Sequence, residues 1–316
     1  MQSQLDVPPQ MYTIDDLKQG VKSPNLIARE VNRHYYTRRF GPGYNRKGTD
    51  IFEEDWDTLI ILDACRYDIF KDENTLPGEL TQRESRGSNT VEFLRGNFNG
   101  EKLYDTVYTT ANPQLVNNRD QIKVEFCDEI NVWNTNRWDD KIGSVLPEDM
   151  TDAAIESVRK YPNKRHIFHY LQPHYPFISS NIDNGTRGVG ENKENMSDIW
   201  GERFRGRINL TREKIWDAYV QNLRECLNHL QRLINILSGK TVVSSDHGNM
   251  VGERSGPIPI REWGHPSRTY TEHLVKVPWL IYEEKPRREI ISEKGQKTYE
   301  VDMSTVDSRL EDLGYR

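Results

Sequence analysis

Leu59-Ile60-Ile61-Leu62 is an unbroken apolar run lying just inside Asp57 and Asp63. A run this short and this uniform reads as a strand buried on both faces, the kind found in a parallel sheet that helices cover. Residues 165–171 (RHIFHYL), 241–245 (TVVSS) and 277–282 (VPWLIY) read the same way, and 103–110 (LYDTVYTT) alternates like a further strand. Helical patterns lie between them. Ser23 as cap and Pro24 at the first helical position open one helix that ends before the loop GPGYNRKG. Others are predicted over 91–98, 147–160 and 211–237, the last carrying Ile215, Tyr219, Leu223, Cys226, Leu230 and Leu233 at helical spacing, with Gly239 as its C-cap. This alternation predicts an α/β fold, a three-layer sandwich in which a mostly parallel central sheet has helices on both faces.

Within 316 residues, 35% of them hydrophobic, the chain can bury one large core or two modest ones. We divide it into an N-terminal helix and basic loop, 1–50, and a main domain, 51–316, in which the polar, glycine-containing segment 178–210 reads as a lid insertion or a plain surface loop. A net charge of −6 argues against a nucleic-acid partner. Residues 1–50 hold eight Lys/Arg against five Asp/Glu, Arg38 and Arg39 among them. They form a solvated helix face or, alternatively, a peripheral contact with an anionic membrane. Cys65, Cys127 and Cys226 are odd in number and widely spaced, so they are expected as buried thiols. No apolar run approaches the ~20 residues that span a bilayer, and the start has neither basic leader nor apolar h-region, so a cytoplasmic chain is expected. Oligomeric state is not legible.

Six of the eight histidines fall at 166, 169 and 174 and at 247, 265 and 273. In a parallel sheet ligands gather where strands end, and acid or imidazole groups stand at three such ends: Asp63, His174 and the pair Asp246-His247. Together they suit a divalent ion bound by nitrogen and oxygen. Each has a plain alternative. Asp246-His247-Gly248 is also a capped turn, though Gly248 would let the backbone pass close to an ion. Asp63 could pair with Arg66, and His174 and His265 could sit in exposed turns. Thr90 precedes a short helix, where free N–H groups and the helix dipole favour an anion; it could equally be an ordinary cap.

Taken in order, LIILDACRYD (59–68), SRGSNTVEF (85–93), DTVYTTANP (105–113), HYLQPHYPF (169–177), VVSSDHGNMVGE (242–253), GHPSRTY (264–270) and RLEDLGYR (309–316) resemble the alkaline phosphatase/sulfatase superfamily, especially short archaeal sulfatase-like proteins. The resemblance implies an alkaline phosphatase-like fold. By position it makes Asp63, Asp246 and His247 metal ligands and Thr90 the nucleophile, with Ser88 as fallback. His265 would hold a second metal or touch the transferred group. His174, Arg66 and Arg86 would bind substrate, with His169 and Gln172 as weaker candidates. The ion would be zinc, with manganese, magnesium or calcium as alternatives. Where the family's second site uses Asp-x-x-x-His, this chain has Gln172-Pro173-His174, which leaves one or two ions open. The formylglycine motif C/S-x-P-S-R of true sulfatases is absent.

The implied activity is metal-dependent hydrolysis, or transfer, of phosphate mono- or diesters through a threonine nucleophile, on a small-molecule, glycan or lipid ester. A sulfatase working without formylglycine and a non-catalytic anion- or glycan-binding protein are the alternatives.

Overall fold

The computed structural model describes residues 24–178, 182, 199–295 and 301–315. Among the described residues, eleven strands follow one another as β1 (Thr58–Leu62), β2 (Glu79–Glu84), β3 (Lys102–Thr110), β4 (Glu125–Asn131), β5 (Trp138–Asp139), β6 (Ser144–Val145), β7 (Arg165–Tyr170), β8 (Gly239–Ser244), β9 (Met250–Arg254), β10 (Arg261–Gly264) and β11 (Lys276–Glu284). Seven of them make the central sheet in the order β2-β11-β8-β1-β7-β3-β4. β1, the apolar run Leu59–Leu62 with Thr58, lies at its centre and pairs in parallel with β7 and β8. β11 runs antiparallel to both of its neighbours, so the sheet is mostly parallel, as expected.

Alternation along each strand divides the core in two. Ile60 and Leu62 point into one apolar cluster with Phe168, Tyr170 and Val243, covered by the helices Pro147–Lys160 and Arg212–Ile234. Leu59 and Ile61 point the other way, with Ile167, Val242 and Trp279, toward Phe93, Leu94 and Phe98 of the helix Thr90–Phe98. Because each residue of β1 is buried, period 2 appears as a choice of face rather than as polar alternation. The result is a three-layer α/β sandwich.

Two local expectations change. The long helix ends at the C-cap Asn235, and Gly239 instead opens β8 at φ +84°, where a side chain would fall 2.2 Å from Asp57 Oδ2. The helix Thr90–Phe98 is capped by Asn89, whose side chain accepts from the Glu92 N–H, so Thr90 is its first helical residue and not its cap. Ser23 and most of 178–210 lie outside the described residues; of the latter segment, Ile199–Phe204 forms a helix.

Candidate metal centre

All four groups that approach one another at the centre come from the carboxyl ends of parallel strands. Asp63 follows β1, Asp246 and His247 follow β8, and His169 is the fifth residue of β7, in register with Ile61 and Thr110. All four side chains are fully buried. Ligand atoms of Asp63, His169 and Asp246 lie within 4.8 Å of one another. His247 Nε2 stands 3.5 Å from Asp63 Oδ1 and 3.3 Å from Asp246 Oδ2.

Hydrogen bonding fixes which atoms face inward. Asp63 Oδ2 accepts from Asn112 Nδ2 at 2.6 Å, and Asp246 Oδ1 accepts from the N–H groups of Ala64 at 3.0 Å and His247 at 2.9 Å. His247 Nδ1 donates to the Gly248 carbonyl at 2.7 Å, which leaves Nε2 with its lone pair. His169 Nδ1 meets the Tyr108 hydroxyl at 2.8 Å. What remains is Asp63 Oδ1, Asp246 Oδ2 and His169 Nε2, three buried atoms without a hydrogen-bond partner among the described residues. Buried polar atoms are ordinarily paired, and three orphans converging on one point fit a cation, in a mixed N/O set that suits zinc or manganese.

Charge supports the same conclusion. Burial and the neighbouring Asp246 carboxylate push the Asp63 carboxyl well above its usual range. Burial lowers His169 to about 4, so its imidazole is neutral and able to ligate near pH 7. A divalent ion is the counter-charge that would let both carboxylates ionise.

Thr90 Oγ1 borders this cluster, 3.3 Å from His247 Nε2 and 3.5 Å from the Tyr315 hydroxyl, which in turn lies 3.5 Å from Asp63 Oδ2. On the far side, His174 Nδ1 donates to the Tyr175 carbonyl, so its Nε2 accepts, at 2.8 Å, the proton of His265 Nε2. Burial holds both imidazoles low, His174 at about 4. The Tyr315 ring stacks on His174 at 5.3 Å. Thr90, His265 and Tyr315 line a cavity of about 900 Å³, together with Arg29, Arg33 and Thr37 of the helix Pro24–Phe40. Arg38 and Arg39, from the same helix, are exposed.

Several expectations are corrected. Arg66 is not a substrate group: its guanidinium is held by Asp68 at 2.6 Å and Glu253 at 2.8 Å, and neither is Asp63. Arg86 is tied to Asp50 at 3.0 Å and to the Gly96 carbonyl at 2.7 Å, as a loop anchor. His265 spends its Nε2 proton on His174 and is not among the converging ligand atoms, whereas His169, the weaker candidate, is. Ser88 bonds the Glu92 carboxylate at 2.9 Å, away from the orphan atoms, and Gln172 bonds Ser144 and the Val145 carbonyl. Gly248 serves close packing against protein rather than an ion: a Cβ there would fall 2.1 Å from the His273 carbonyl oxygen. Asn112, Tyr108 and Tyr315 were not anticipated as site residues, although each lies in or beside a quoted motif.

No family model and no curated protein matches the sequence. Solved structures do. Lipooligosaccharide phosphoethanolamine transferase A of Neisseria meningitidis, an integral membrane protein, is 13% identical over 72% of this chain and 47% of its own length, with a TM-score of 0.48. The zinc complex of the C-terminal periplasmic domain of EptC from Escherichia coli is 15% identical over 75% of this chain and 76% of that one, at 0.47. The phosphonate monoester hydrolase of Silicibacter pomeroyi is 14% identical over 83% and 73%, at 0.44. A Vibrio parahaemolyticus protein in the alkaline phosphatase superfamily is 11% identical over 83% of this chain and 67% of that one, at 0.38. The fold shown by the chain itself is the three-layer α/β sandwich with a mostly parallel seven-stranded sheet. The chain spans about half the length of the meningococcal protein, and the site assignment rests on the geometry above. The expectation of a cytoplasmic chain is withdrawn, because the two transferases are an integral membrane protein and a periplasmic domain.

Proposed function

We propose that this chain is a metal-dependent hydrolase or transferase of phosphate esters in which Thr90 is the nucleophile. One observation carries the reading: a buried threonine hydroxyl at a helix N-terminus stands 3.3 Å from His247 Nε2, at the edge of three orphaned ligand atoms and on the wall of a large cavity. Asp63, Asp246, His247 and His169 would hold the ion, zinc first by donor chemistry. When bound, such an ion supplies Lewis acidity, lowering the pKa of a nearby hydroxyl and offsetting charge on phosphate oxygens.

The remaining steps belong to the side chains. The Tyr315 hydroxyl and the first turn of the helix fix the Thr90 rotamer toward the cavity. Thr90 Oγ1, its proton given up to solvent, forms a bond to phosphorus as the bond to the leaving alcohol oxygen breaks, in line, and the departing oxygen takes up a proton from water. The His265 Nε2–H is held by His174, which fixes that imidazole on the cavity wall beside Thr90. Water then releases phosphate and regenerates the hydroxyl, or a second alcohol takes the phosphoryl group.

Thr90→Ala tests the assignment. The variant is expected to bind one equivalent of zinc as wild type does, by elemental analysis, while turnover of aryl phosphate mono- and diesters falls at least ~10³-fold, comparable to losing a principal catalytic group. Unchanged turnover removes Thr90 from the mechanism. Hydrolysis of an aryl sulfate but not a phosphate would favour the sulfatase reading, and wild-type protein without stoichiometric metal or turnover would favour a binding protein.

A further inference from the structure

The helix Pro24–Phe40 turns one face to the protein and another to solvent, and the outward face is not polar. On the inner side Asn32 and Tyr36 are buried, and Arg29, Arg33 and Thr37 border the cavity beside Thr90. On the other side Ile27, Val31 and Tyr35 are 52%, 45% and 40% exposed. Spaced four apart, they form one slowly winding stripe along the helix. A surface helix that meets only water carries polar side chains there.

The stripe continues onto a second element. Asn32 fastens the loop between β9 and β10 to the helix: its Nδ2 donates to the Ile258 carbonyl at 2.9 Å, and its Oδ1 accepts from the Ile258 N–H at 2.8 Å. That loop holds Pro257, Ile258 and Pro259 outward, and Pro257 lines one cavity with Tyr35 and Arg39. Seven large apolar side chains are exposed among the described residues, and four of them, Ile27, Val31, Tyr35 and Ile258, gather here. Single exposed apolar residues are ordinary, whereas a group of them marks a contact surface.

Cations flank the group. Arg38 and Arg39 are exposed at the end of the helix, Lys47 follows with its Nζ 4.8 Å from the Phe40 ring centroid, and Arg254 lines the cavity of Tyr35. Of the acids close by, Glu30 pairs with Arg33 and Glu272 with Lys276. In a chain of net charge −6 this is a local reversal of sign.

We propose that Ile27, Val31, Tyr35 and Ile258, with Arg38 and Arg39 beside them, form a peripheral docking surface for an anionic lipid bilayer. Such a helix lies in the plane of the headgroups, with apolar side chains in the acyl boundary and cations drawn by the negative surface potential. A second copy of this chain would bring a matching set of cations into the same contact; anionic lipid answers them. Docking on this face sets the cavity wall of Arg29, Arg33 and Thr37 about one helix diameter, ~10 Å, from the headgroups.

Co-flotation of the full chain with vesicles tests this, independently of metal and turnover. Partition onto mixed vesicles of phosphatidylcholine and phosphatidylglycerol is expected to exceed that onto phosphatidylcholine alone ~10-fold or more, and to weaken as salt is raised. Arg38→Glu with Arg39→Glu should abolish the difference. Val31→Gln with Tyr35→Gln keeps the charge and should lower partition onto the anionic vesicles ~10-fold or more. Two controls should leave it unaltered: Arg159→Glu with Lys160→Glu, an equal change of net charge at the end of the helix Pro147–Lys160, and Ile236→Gln, at a residue 45% exposed. An environment-sensitive fluorophore on Val31→Cys should shift to the blue on anionic vesicles, and the same label on Ile236→Cys should not, so the contact is also read in protein whose charges are intact. No preference for anionic vesicles, binding that survives both changes to the face, or an equal loss in the controls overturns the proposal. Self-association in sedimentation velocity that Val31→Gln with Tyr35→Gln removes, without vesicle binding, also overturns it and makes the face a contact between copies.

Discussion

Asp63 and Asp246, delivered by adjacent strands β1 and β8, each give one carboxylate oxygen to protein donors and leave the other unpartnered toward the same point. Side by side in a dry interior, two such oxygens repel unless a proton or a cation lies between them. The protein has put a fixed donor on each outer oxygen, Asn112 on one and the Ala64 N–H on the other. Ala64 reaches that position at φ +60°, a strained conformation for a residue with a Cβ, held in part by Tyr219, whose hydroxyl donates to the Ala64 carbonyl.

Metal binding should therefore appear as stability. Zinc at about 100 times its Kd is expected to add about 2.7 kcal/mol, or roughly 4 °C in melting temperature for a chain of this size. Differential scanning fluorimetry with zinc and with a chelator measures it. Asp246→Asn should abolish the shift. His169→Ala should weaken zinc binding by at least ~10-fold, an effect of the size even supporting groups produce. His265→Ala should weaken it much less, since that ring is engaged with His174. If His265→Ala is the more damaging of the two, the ligand set drawn here is wrong.

The Arg66–Glu253 pair gives a pH test of a structural role. Burial alone would raise the Glu253 carboxyl, but the charge and hydrogen bonds of Arg66 outweigh it and hold the group at about 2, below its ordinary 4.5. A depressed carboxyl contributes stability above its unfolded pKa and loses that contribution as pH falls toward the folded value. Glu253→Gln should thus be less stable than wild type above pH ~5, by about 1–2 kcal/mol once solvent screening is allowed for. The gap should close between pH 4.5 and about 2. Denaturant melts across that range check it. At neutral pH the folded variant should retain its KM for phenyl phosphate, because Arg66 does not face the cavity. A large KM change would return Arg66 to the substrate.

What the sequence made legible was the strand-end chemistry. Asp63, Asp246 and His247 stand at the ends of short strand-like runs, which mark the buried strands of the sheet but not their order. His169 was harder to read because it lies inside a strand, where alternation cannot say whether an imidazole faces apolar packing or a site; its register beside Ile61 and Thr110 decides that. Arg66 misled for the opposite reason. It sits next to the site in sequence, but the three-residue turn Asp63-Ala64-Cys65 past the strand directs its side chain toward Glu253, nearly two hundred residues away in the chain. Tyr315 closes the site from the last turn of the chain, and no local pattern marks a tyrosine after a helix as a neighbour of Asp63.

Glu92 joins two parts of the site without touching the metal ligands. Three residues after the cap Asn89, it accepts from the Ser88 N–H and hydroxyl through Oε2 and from the Arg268 N–H through Oε1, while its own N–H donates to Asn89. This is a variant of the capping box in which the carboxylate also clasps a distant loop. Glu92→Gln preserves volume but keeps only one acceptor oxygen, so one buried donor loses its partner, a loss of about 1–3 kcal/mol. The break should fall on the Ser88 or the Arg268 side, loosening either the turn before Thr90 or the loop after His265. Zinc content is expected to stay at the wild-type level, since no ligand moves. Turnover of phenyl phosphate should drop ~10-fold or more in kcat with a smaller change in KM, because a nucleophile about 1 Å out of place loses rate in this range. Glu92→Asp, which restores charge on a shorter arm, should recover part of the stability without recovering the rate. A Glu92→Gln enzyme with unaltered kcat would show that Thr90 is held by its own helix alone and that the clasp to Arg268 serves folding only.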